Sequence, residues 1–304
     1  MSFAVLCPGQ GHQHAAMLDL ADASDAARDV LRAGERALGL DFVRALHEDA
    51  RFVNRVAQPL VCIAQLAVWR AIRDRVPEPA AIAGYSAGEL ASYGCAGALD
   101  ANALATLARA RADAMDAALS AKASALVAVR GARRAQLRAY CEGRELWIAI
   151  VIGVDRHVLG GAAAEIDAVR GGALGAGVET TPLSVSVASH TPLLRSAVEP
   201  FARALAESRL RDPAIATIAG IDAAFVRTRD VAIDRLARQL AQPIEWSRCL
   251  EALDERGCRV FLELPPGNAL TRIAREALPH IEARAVEDFR SLDAVVEWVL
   301  RRIE

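Results

Sequence analysis

A serine lies between two glycines in Gly84-Tyr85-Ser86-Ala87-Gly88, with a short apolar segment before it and a helical pattern after it. This order predicts a strand, a sharp turn and a helix, which is the context that a nucleophilic serine in G-x-S-x-G needs. The start of a helix also favours developing negative charge. The pattern therefore predicts a nucleophile at Ser86, although small residues also cluster in ordinary strand-to-helix turns.

A glycine-rich loop from Pro8 to Gln13 follows the first apolar segment of the chain. Acyl transfer through a serine needs N–H donors that point at the oxyanion. This loop can supply one donor, and Ala87, directly after the serine, can supply the other. An ordinary strand-to-helix turn is the alternative. The glycine spacing is too short for a dinucleotide fingerprint, so a Rossmann cofactor site is excluded.

His190 is the best candidate for a general base. It lies in the run Ser186-Val187-Ala188-Ser189-His190-Thr191-Pro192, at a predicted strand-to-helix junction, where it could take the serine proton and return it to a leaving thiol. A structural histidine is the alternative. His12 and His14 lie near the proposed oxyanion loop, which suits a base less well.

Two further side chains could contribute, each with an ordinary alternative. Arg111 lies in a mostly Ala/Leu helical pattern, and its planar fork could hold a carboxylate by two hydrogen bonds. In an arginine-rich chain, however, a solvated role is more common. Gln239 precedes Pro243 near a helix end. It could orient a histidine, or it could be an exposed polar residue.

The composition describes a globular chain with a substantial core. The 304 residues are 53% hydrophobic and 24% charged, with a net charge of −2. Such a charge does not suggest nucleic acid or an anionic membrane as a partner. The N-terminus does not resemble a signal peptide, and no apolar run is long enough for a transmembrane helix. Six scattered cysteines without a C-x-x-C pair predict buried thiols in a reducing cytoplasm and no metal site.

Strand and helix patterns alternate along most of the chain, which predicts a mostly parallel sheet covered by helices. Between residues 124 and 190 the pattern changes to two β-α-β units, which predicts a small ferredoxin-like α+β insert. The sequence therefore predicts an α/β fold with a large domain at 1–123 and 191–304 and a small subdomain at 124–190. Predicted elements include strands at 3–7, 80–83, 125–130, 146–152, 158–160, 180–187 and 260–263, and helices at 23–37, 58–73, 101–121, 132–141, 162–170, 191–208, 268–277 and from 291.

Together these segments resemble the malonyl/acyl-carrier-protein acyltransferase family over nearly the whole chain. The motifs occur in the order of the family: G-Q-G-x-Q from Gly9 to Gln13, G-x-S-x-G-E from Gly84 to Glu89, an arginine four residues before Met115, Ser189-His190, and Q-L-x-x-P-[IV]-x-W from Gln239 to Trp246. The resemblance implies an α/β-hydrolase-like domain and a ferredoxin-like one, with the active site between them.

By the same resemblance Ser86 is the nucleophile and His190 its base, and the backbone N–H groups of Gln10 and Ala87 form the oxyanion hole. Arg111 corresponds to the arginine that binds the free carboxylate of malonyl. Gln239 falls where the family supports the histidine. The resemblance implies malonyl transfer from malonyl-CoA to the thiol of a carrier protein, with no bound cofactor.

Tyr85 departs from the histidine that precedes the serine in fatty-acid-synthesis members. With Gly94-Cys95-Ala96-Gly97, it makes the chain look like the malonyltransferase subunit of malonate decarboxylase. That resemblance implies a carrier whose prosthetic group is a phosphoribosyl-dephospho-CoA. The alternatives are a malonyl-CoA:ACP transacylase of fatty-acid or polyketide synthesis and, less in keeping with Arg111, a serine esterase or thioesterase.

Overall fold

The computed structural model describes residues 2–119, 123–183 and 187–303. Its strands are β1 (Ser2–Cys7), β2 (Ala81–Gly84), β3 (Ser124–Arg130), β4 (Leu146–Val151), β5 (Arg156–Ala162), β6 (Glu179–Pro182), β7 (Thr217–Ile218), β8 (Phe225–Val226), β9 (Ile244–Glu245), β10 (Cys258–Glu263) and β11 (Glu282–Ala285). Its α-helices are α1 (Asp19–Asp22), α2 (Asp25–Leu38), α3 (Phe42–Leu46), α4 (Asn54–Ile72), α5 (Ala87–Cys95), α6 (Ala101–Ala118), α7 (Arg134–Cys141), α8 (Ala163–Arg170), α9 (Arg195–Glu207), α10 (Arg229–Gln239), α11 (Trp246–Glu255), α12 (Ala269–Ala277) and α13 (Leu292–Ile303).

The larger sheet has six strands in the order β11-β10-β1-β2-β7-β8. All neighbours pair in parallel except β7 and β8. Strand β1 lies inside the sheet, with Leu6 opposite Ala83 on one side and Glu263 on the other. Because helices cover both faces, β1 is a continuous apolar run rather than an alternating one. The carboxyl ends of β1 and β2 therefore lie side by side at one edge.

Helix α4 is a long helix of this half, and most of its residues are buried. It packs against α2, α5 and α6, and its apolar side chains from Leu60 to Trp69 are buried. Three polar residues of α4, Asn54, Gln58 and Gln65, are buried with them. Since buried amides need hydrogen-bond partners, these three positions point to polar contacts inside the core.

The smaller sheet has five strands in the order β6-β3-β5-β4-β9. Its first four strands and two helices follow each other as β-α-β-β-α-β, with antiparallel pairing throughout. This is the connectivity of a ferredoxin-like unit. The predicted α/β class, with a mostly parallel sheet and a second, smaller sheet, is confirmed.

The fifth strand of the smaller sheet comes from far along the chain. Ile244 and Glu245 in β9 pair in parallel with Ile150 and Val151 in β4. The predicted insert at 124–190 did not include them, because a two-residue strand has no periodicity to detect. The division into 1–123 with 191–304 and 124–190 stays a prediction, and β9 links its two parts.

Several predicted boundaries differ from the structure. The helix predicted at 101–121 ends at Ala118, and the strand predicted at 180–187 spans Glu179–Pro182. Residues 120–122 and 184–186, including Ser186, lie outside the described residues. Helix α11 and the short strands β7, β8 and β11 were not predicted.

Within the described parts of the chain, no helix combines the length and apolarity that crossing a membrane requires. All six cysteines are free thiols. Five of them are buried and Cys141 is partly exposed. These thiols therefore contribute to packing rather than to cross-links.

Candidate active site

Ser86 occupies the sharp turn between β2 and α5, with backbone angles φ 56° and ψ −118°. A side chain is strained in this left-handed region, and such strain concentrates at functional sites. The flanking glycines make the turn possible. A Cβ on Gly84 would lie 2.2 Å from Glu89 Cα, and one on Gly88 would lie 2.0 Å from the carbonyl oxygen of Cys7. The predicted strand, turn and helix around Ser86 are thus present.

His190 contacts Ser86 directly. The Ser86 Oγ lies 2.8 Å from His190 Nε2, and His190 Nδ1 lies 2.7 Å from the backbone oxygen of Gln239. Since a carbonyl oxygen only accepts hydrogen bonds, Nδ1 carries the proton and Nε2 is free to accept from the serine. The backbone N–H of His190, which has φ 64°, donates to the carbonyl oxygen of Leu240 at 2.8 Å. The backbone at the end of α10 therefore holds both the ring and the main chain of His190.

The imidazole of His190 is neutral at physiological pH. Burial, and secondarily the charge of Arg111, lower its pKa to about 3, against the opposing effect of the Gln239 backbone hydrogen bond. A neutral imidazole that accepts from a serine hydroxyl is a general base ready to take its proton. A backbone oxygen thus takes the position that an aspartate has in many Ser-His sites.

The proposed oxyanion donors flank the serine. Ala87 is the first residue of α5, so its N–H has no carbonyl partner within the helix. Gln10 lies on the loop after β1, and the preceding Gly9 packs against Tyr85 and Ser86. Both backbone N–H groups therefore belong to segments in contact with the nucleophile.

Two glutamines hold that loop in place. Gln65 in α4 donates to the carbonyl oxygen of Pro8 at 2.7 Å, and the amide of Gln13 donates to the carbonyl oxygen of Arg51 at 2.9 Å. The Gln13 side-chain oxygen also accepts from the N–H of Gly11. Since the first two contacts come from distant segments, they position the backbone of the loop rather than bind a ligand.

Arg111 is buried, with 1% of its surface exposed. Its Nη1 donates to Gln58 Oε1 at 2.9 Å and contacts Met115 Sδ at 3.4 Å, and its Nη2 donates to Gln239 Oε1 at 3.0 Å. Burial lowers the pKa of Arg111 to about 10, so the guanidinium remains charged at neutral pH. Among the described residues no carboxylate pairs with it directly. The site therefore holds a buried cation with neutral partners.

The neighbouring Arg109 shows what an ordinary arginine does on the same helix. Its Nε donates to the carbonyl oxygen of Arg55 at the protein surface. The difference is visible in the sequence, because Leu104, Ala108, Arg111 and Met115 follow each other at helical spacing and are all buried. Arg111 thus lies within the apolar stripe of α6, and this spacing indicates its burial.

Gln239 joins the two halves of the site. It is the last residue of α10 and is fully buried. Its backbone oxygen accepts from His190, and its side-chain oxygen accepts from Arg111. The alternative of an exposed polar residue is therefore wrong. The backbone oxygen of Gln239 holds His190, while the side chain of Gln239 binds Arg111.

Glu89, the last residue of the G-x-S-x-G-E motif, is buried, and no role was predicted for it. Its Oε2 accepts from the N–H of Gly220 at 2.9 Å and from the amide of Gln239. Burial raises the pKa of Glu89 to about 8, although both hydrogen bonds act to lower it. No role was predicted for Gln58 either, although Asn54, Gln58 and Gln65 follow each other at helical spacings of four and seven residues in an apolar helix.

A cleft of about 770 Å³ leads to His190 from the side of the smaller sheet. Its lining includes Arg134, Arg138, Trp147 and Pro243. Beside the serine, the Tyr85 ring packs edge-on against Trp246 with centroids 5.3 Å apart. The cleft thus reaches His190 along the smaller sheet, with Arg134 and Arg138 in its lining.

In this arrangement a serine at the end of a parallel strand donates to a neutral, buried histidine. Enzymes that form an ester on serine have the same arrangement. The sequence profile described as "Acyl transferase domain" matches residues 4–295. The chain belongs to this family, as the motifs predicted.

Curated and solved relatives agree with this family. The malonyl CoA-acyl carrier protein transacylase of Haemophilus influenzae is 28% identical over 98% of this chain and 99% of its own length. The solved acyl carrier protein S-malonyltransferase of Vibrio cholerae is 30% identical, with a TM-score of 0.88 over 97% of this chain and all of its own. A malonyl-transacylase solved in complex with a type II PKS acyl-carrier protein is 26% identical, with a TM-score of 0.91 over 98% and 99% of the two chains.

Proposed function

We propose that this acyltransferase moves malonyl from malonyl-CoA to the thiol of an acyl carrier protein, through an ester on Ser86. The observation that carries the proposal is the buried, charged Arg111 without a carboxylate partner among the described residues. A buried cation is costly unless it is paired. The free carboxylate of a malonyl group would supply that partner, with the planar fork of the guanidinium matching its two oxygens.

In the first half-reaction, Ser86 Oγ attacks the thioester carbon of malonyl-CoA, and its proton passes to His190 Nε2. The backbone N–H groups of Gln10 and Ala87 stabilise the charge on the carbonyl oxygen. When the carbon–sulfur bond breaks, the CoA thiolate takes the proton from His190 and leaves as a thiol. The product is a malonyl-serine ester and a neutral histidine.

In the second half-reaction, His190 takes the proton of the carrier thiol, whose sulfur attacks the ester carbon. The bond to Ser86 Oγ breaks, and the serine regains a proton from His190. Arg111 holds the same carboxylate in both halves, and Gln239 links its guanidinium to the histidine. One covalent intermediate shared by two substrates predicts ping-pong kinetics.

The relatives support an acyl carrier protein as the acceptor. Curated relatives that align over almost their full length are named malonyl CoA-acyl carrier protein transacylases. The malonate decarboxylase carrier predicted from Tyr85 has no support among them. It remains the second candidate because Tyr85 packs against Trp246 beside the nucleophile, where the transacylase resemblance would place a histidine.

The test is malonyl transfer from labelled malonyl-CoA to two purified carriers, followed by intact mass spectrometry. One carrier bears phosphopantetheine, and the other bears the longer prosthetic group of malonate decarboxylase. Preference for the first carrier supports the proposal. Preference for the second means that the same reaction loads the malonate decarboxylase carrier instead. A third reaction, without a carrier, distinguishes a transferase from a hydrolase. A hydrolase would release malonate in this reaction at a rate similar to that of carrier loading, whereas a transferase would release it much more slowly.

A further inference from the structure

Glu89 lies three residues after Ser86, on the first turn of α5, and its backbone N–H donates to the carbonyl oxygen of Ser86 at 3.0 Å. Among the described residues its side chain bonds to Gly220 and Gln239, and not to Ser86 or His190. Its side chain is 0% exposed. One oxygen, Oε2, accepts from both the N–H of Gly220 and the Gln239 amide. The other oxygen, Oε1, has no hydrogen-bond partner within the described chain. Burial of the Glu89 carboxyl group with one oxygen unpaired in the described part of the chain is costly, so a role for this side chain is expected.

The geometry of the Gln239 amide indicates a role for Glu89. An amide presents an oxygen that accepts and a nitrogen that donates, and a rotation by about 180° exchanges them. Because Glu89 Oε2 accepts, only the nitrogen of Gln239 can face it. The oxygen must then face Arg111, which can only donate. The reversed amide would set two donors against each other beside the guanidinium.

We propose that Glu89 is a positioning residue for malonyl selectivity, acting through the orientation of the Gln239 amide that holds Arg111. The inference rests on the proposed function, since it assigns Arg111 to the malonyl carboxylate. Glu89 binds the far side of Gln239 rather than the guanidinium itself. The cation is therefore held in place without being paired, and it stays available to a substrate carboxylate.

The opposite side of Arg111 is built in the same way. Gln58 Oε1 accepts from Arg111 Nη1, and Gln58 Nε2 donates to Asn54 Oδ1 at 2.7 Å. Asn54 Nδ2 in turn donates to Asp116 Oδ1 at 2.8 Å. Here too a chain of amides ends at a carboxyl oxygen, and because that oxygen accepts, it sets the direction of every hydrogen bond in the chain. Both series of hydrogen bonds end at the guanidinium and have a fixed direction. We therefore expect both to orient the guanidinium of Arg111.

The test compares malonyl-CoA with acetyl-CoA, which has no second carboxylate, as acyl donors for Glu89 variants. Glu89→Met removes the acceptor, and Glu89→Asp keeps the carboxyl group but withdraws its oxygens from Gln239. In both, the malonyl-to-acetyl ratio of kcat/KM should fall about tenfold, the effect of one lost hydrogen bond to a charged group. Glu89→Gln retains an acceptor oxygen and should keep most of the ratio.

A double variant shows whether Glu89 acts through Gln239. Gln239→Leu removes the amide but keeps the backbone oxygen that binds His190. If the proposal holds, adding Glu89→Met to Gln239→Leu lowers the ratio no further. Equal losses for malonyl and acetyl, or additive losses in the double variant, would overturn it. If Glu89→Met does not fold, Glu89→Asp carries the comparison. A wild-type protein without malonyl transfer would instead refute the proposed function.

Discussion

Replacement of Arg111 by alanine tests the proposed substrate most directly. The guanidinium is almost fully buried and bonded only to neutral side-chain atoms of the described residues. Arg111→Ala would leave the malonyl carboxylate in the same pocket without a cation. A carboxylate that loses its buried, hydrogen-bonded partner costs about 2 to 5 kcal/mol. At 1.36 kcal/mol per tenfold in rate, kcat/KM for malonyl-CoA should fall by about 30-fold to several thousandfold.

The assay measures acyl-serine formation with malonyl-CoA and with acetyl-CoA on the same variant. Acetyl-CoA has no carboxylate for Arg111, so its kcat/KM should fall much less. Arg109→Ala is the matched control, because Arg109 lies two positions away on α6 with its Nε on a surface carbonyl. That variant should keep the malonyl-to-acetyl ratio of the wild type.

The variant also has a cost in stability that must be separated from the effect on binding. Without Arg111, the side-chain oxygens of Gln58 and Gln239 lose a donor, at about 1–3 kcal/mol for each buried group left unpaired. Thermal unfolding therefore accompanies the kinetics. If a folded Arg111→Ala protein loses malonyl and acetyl transfer by the same factor, the arginine is structural and the assignment of the carboxylate is refuted.

Three further outcomes are expected. Ser86→Ala should abolish the malonyl adduct in intact mass spectra, whereas Ser92→Ala, whose hydroxyl donates to a carbonyl within α5, should retain it; an adduct on the Ser86 variant would contradict the mechanism. Because the pKa of His190 is lowered to about 3, the base stays neutral as the pH falls, so stopped-flow acylation should be level between pH 8 and 5, and a midpoint near 6.5 would contradict this. Gly88→Ala should lower both the melting temperature and acylation, because its Cβ would meet a backbone oxygen at 2.0 Å, whereas Gly171→Ala meets nothing closer than 3.4 Å and should behave as wild type.

The local parts of the site could be predicted from the sequence. The serine turn and the loop after β1 are each encoded within about ten residues, as is the segment that carries His190. The strand predicted to lead into His190 ends earlier, at Pro182. Strand, turn and helix signals locate such features, and the alternation of elements along the chain gives the fold class. On α4 and α6, the helical spacing of polar residues among apolar ones also indicates which of them are buried. The burial of Gln58 and Arg111 was therefore predictable from the helical period.

The surroundings of Arg111 could not be predicted in this way. Its partners Gln58 and Gln239 lie 53 and 128 residues away in sequence, on two other helices that only the folded packing brings together. The direction of each amide depends on a carboxylate further out, at Glu89 or Asp116. The pairing of β9 with β4 depends likewise on a contact across the chain, formed by two residues that carry no pattern.

The reacting pair spans the boundary between the two sheets. Ser86 follows β2 of the larger sheet, while His190 follows the smaller sheet and is held by the end of α10. Because β9 follows α10 in the chain and belongs to the smaller sheet, local opening of that sheet would displace the helix end that holds His190 while the larger core stays folded. Enzyme activity then reports the docking of the sheets rather than global folding. On heating, catalysis should disappear before the far-ultraviolet circular dichroism changes, and amide hydrogen exchange should locate the first opening at β9 and β4.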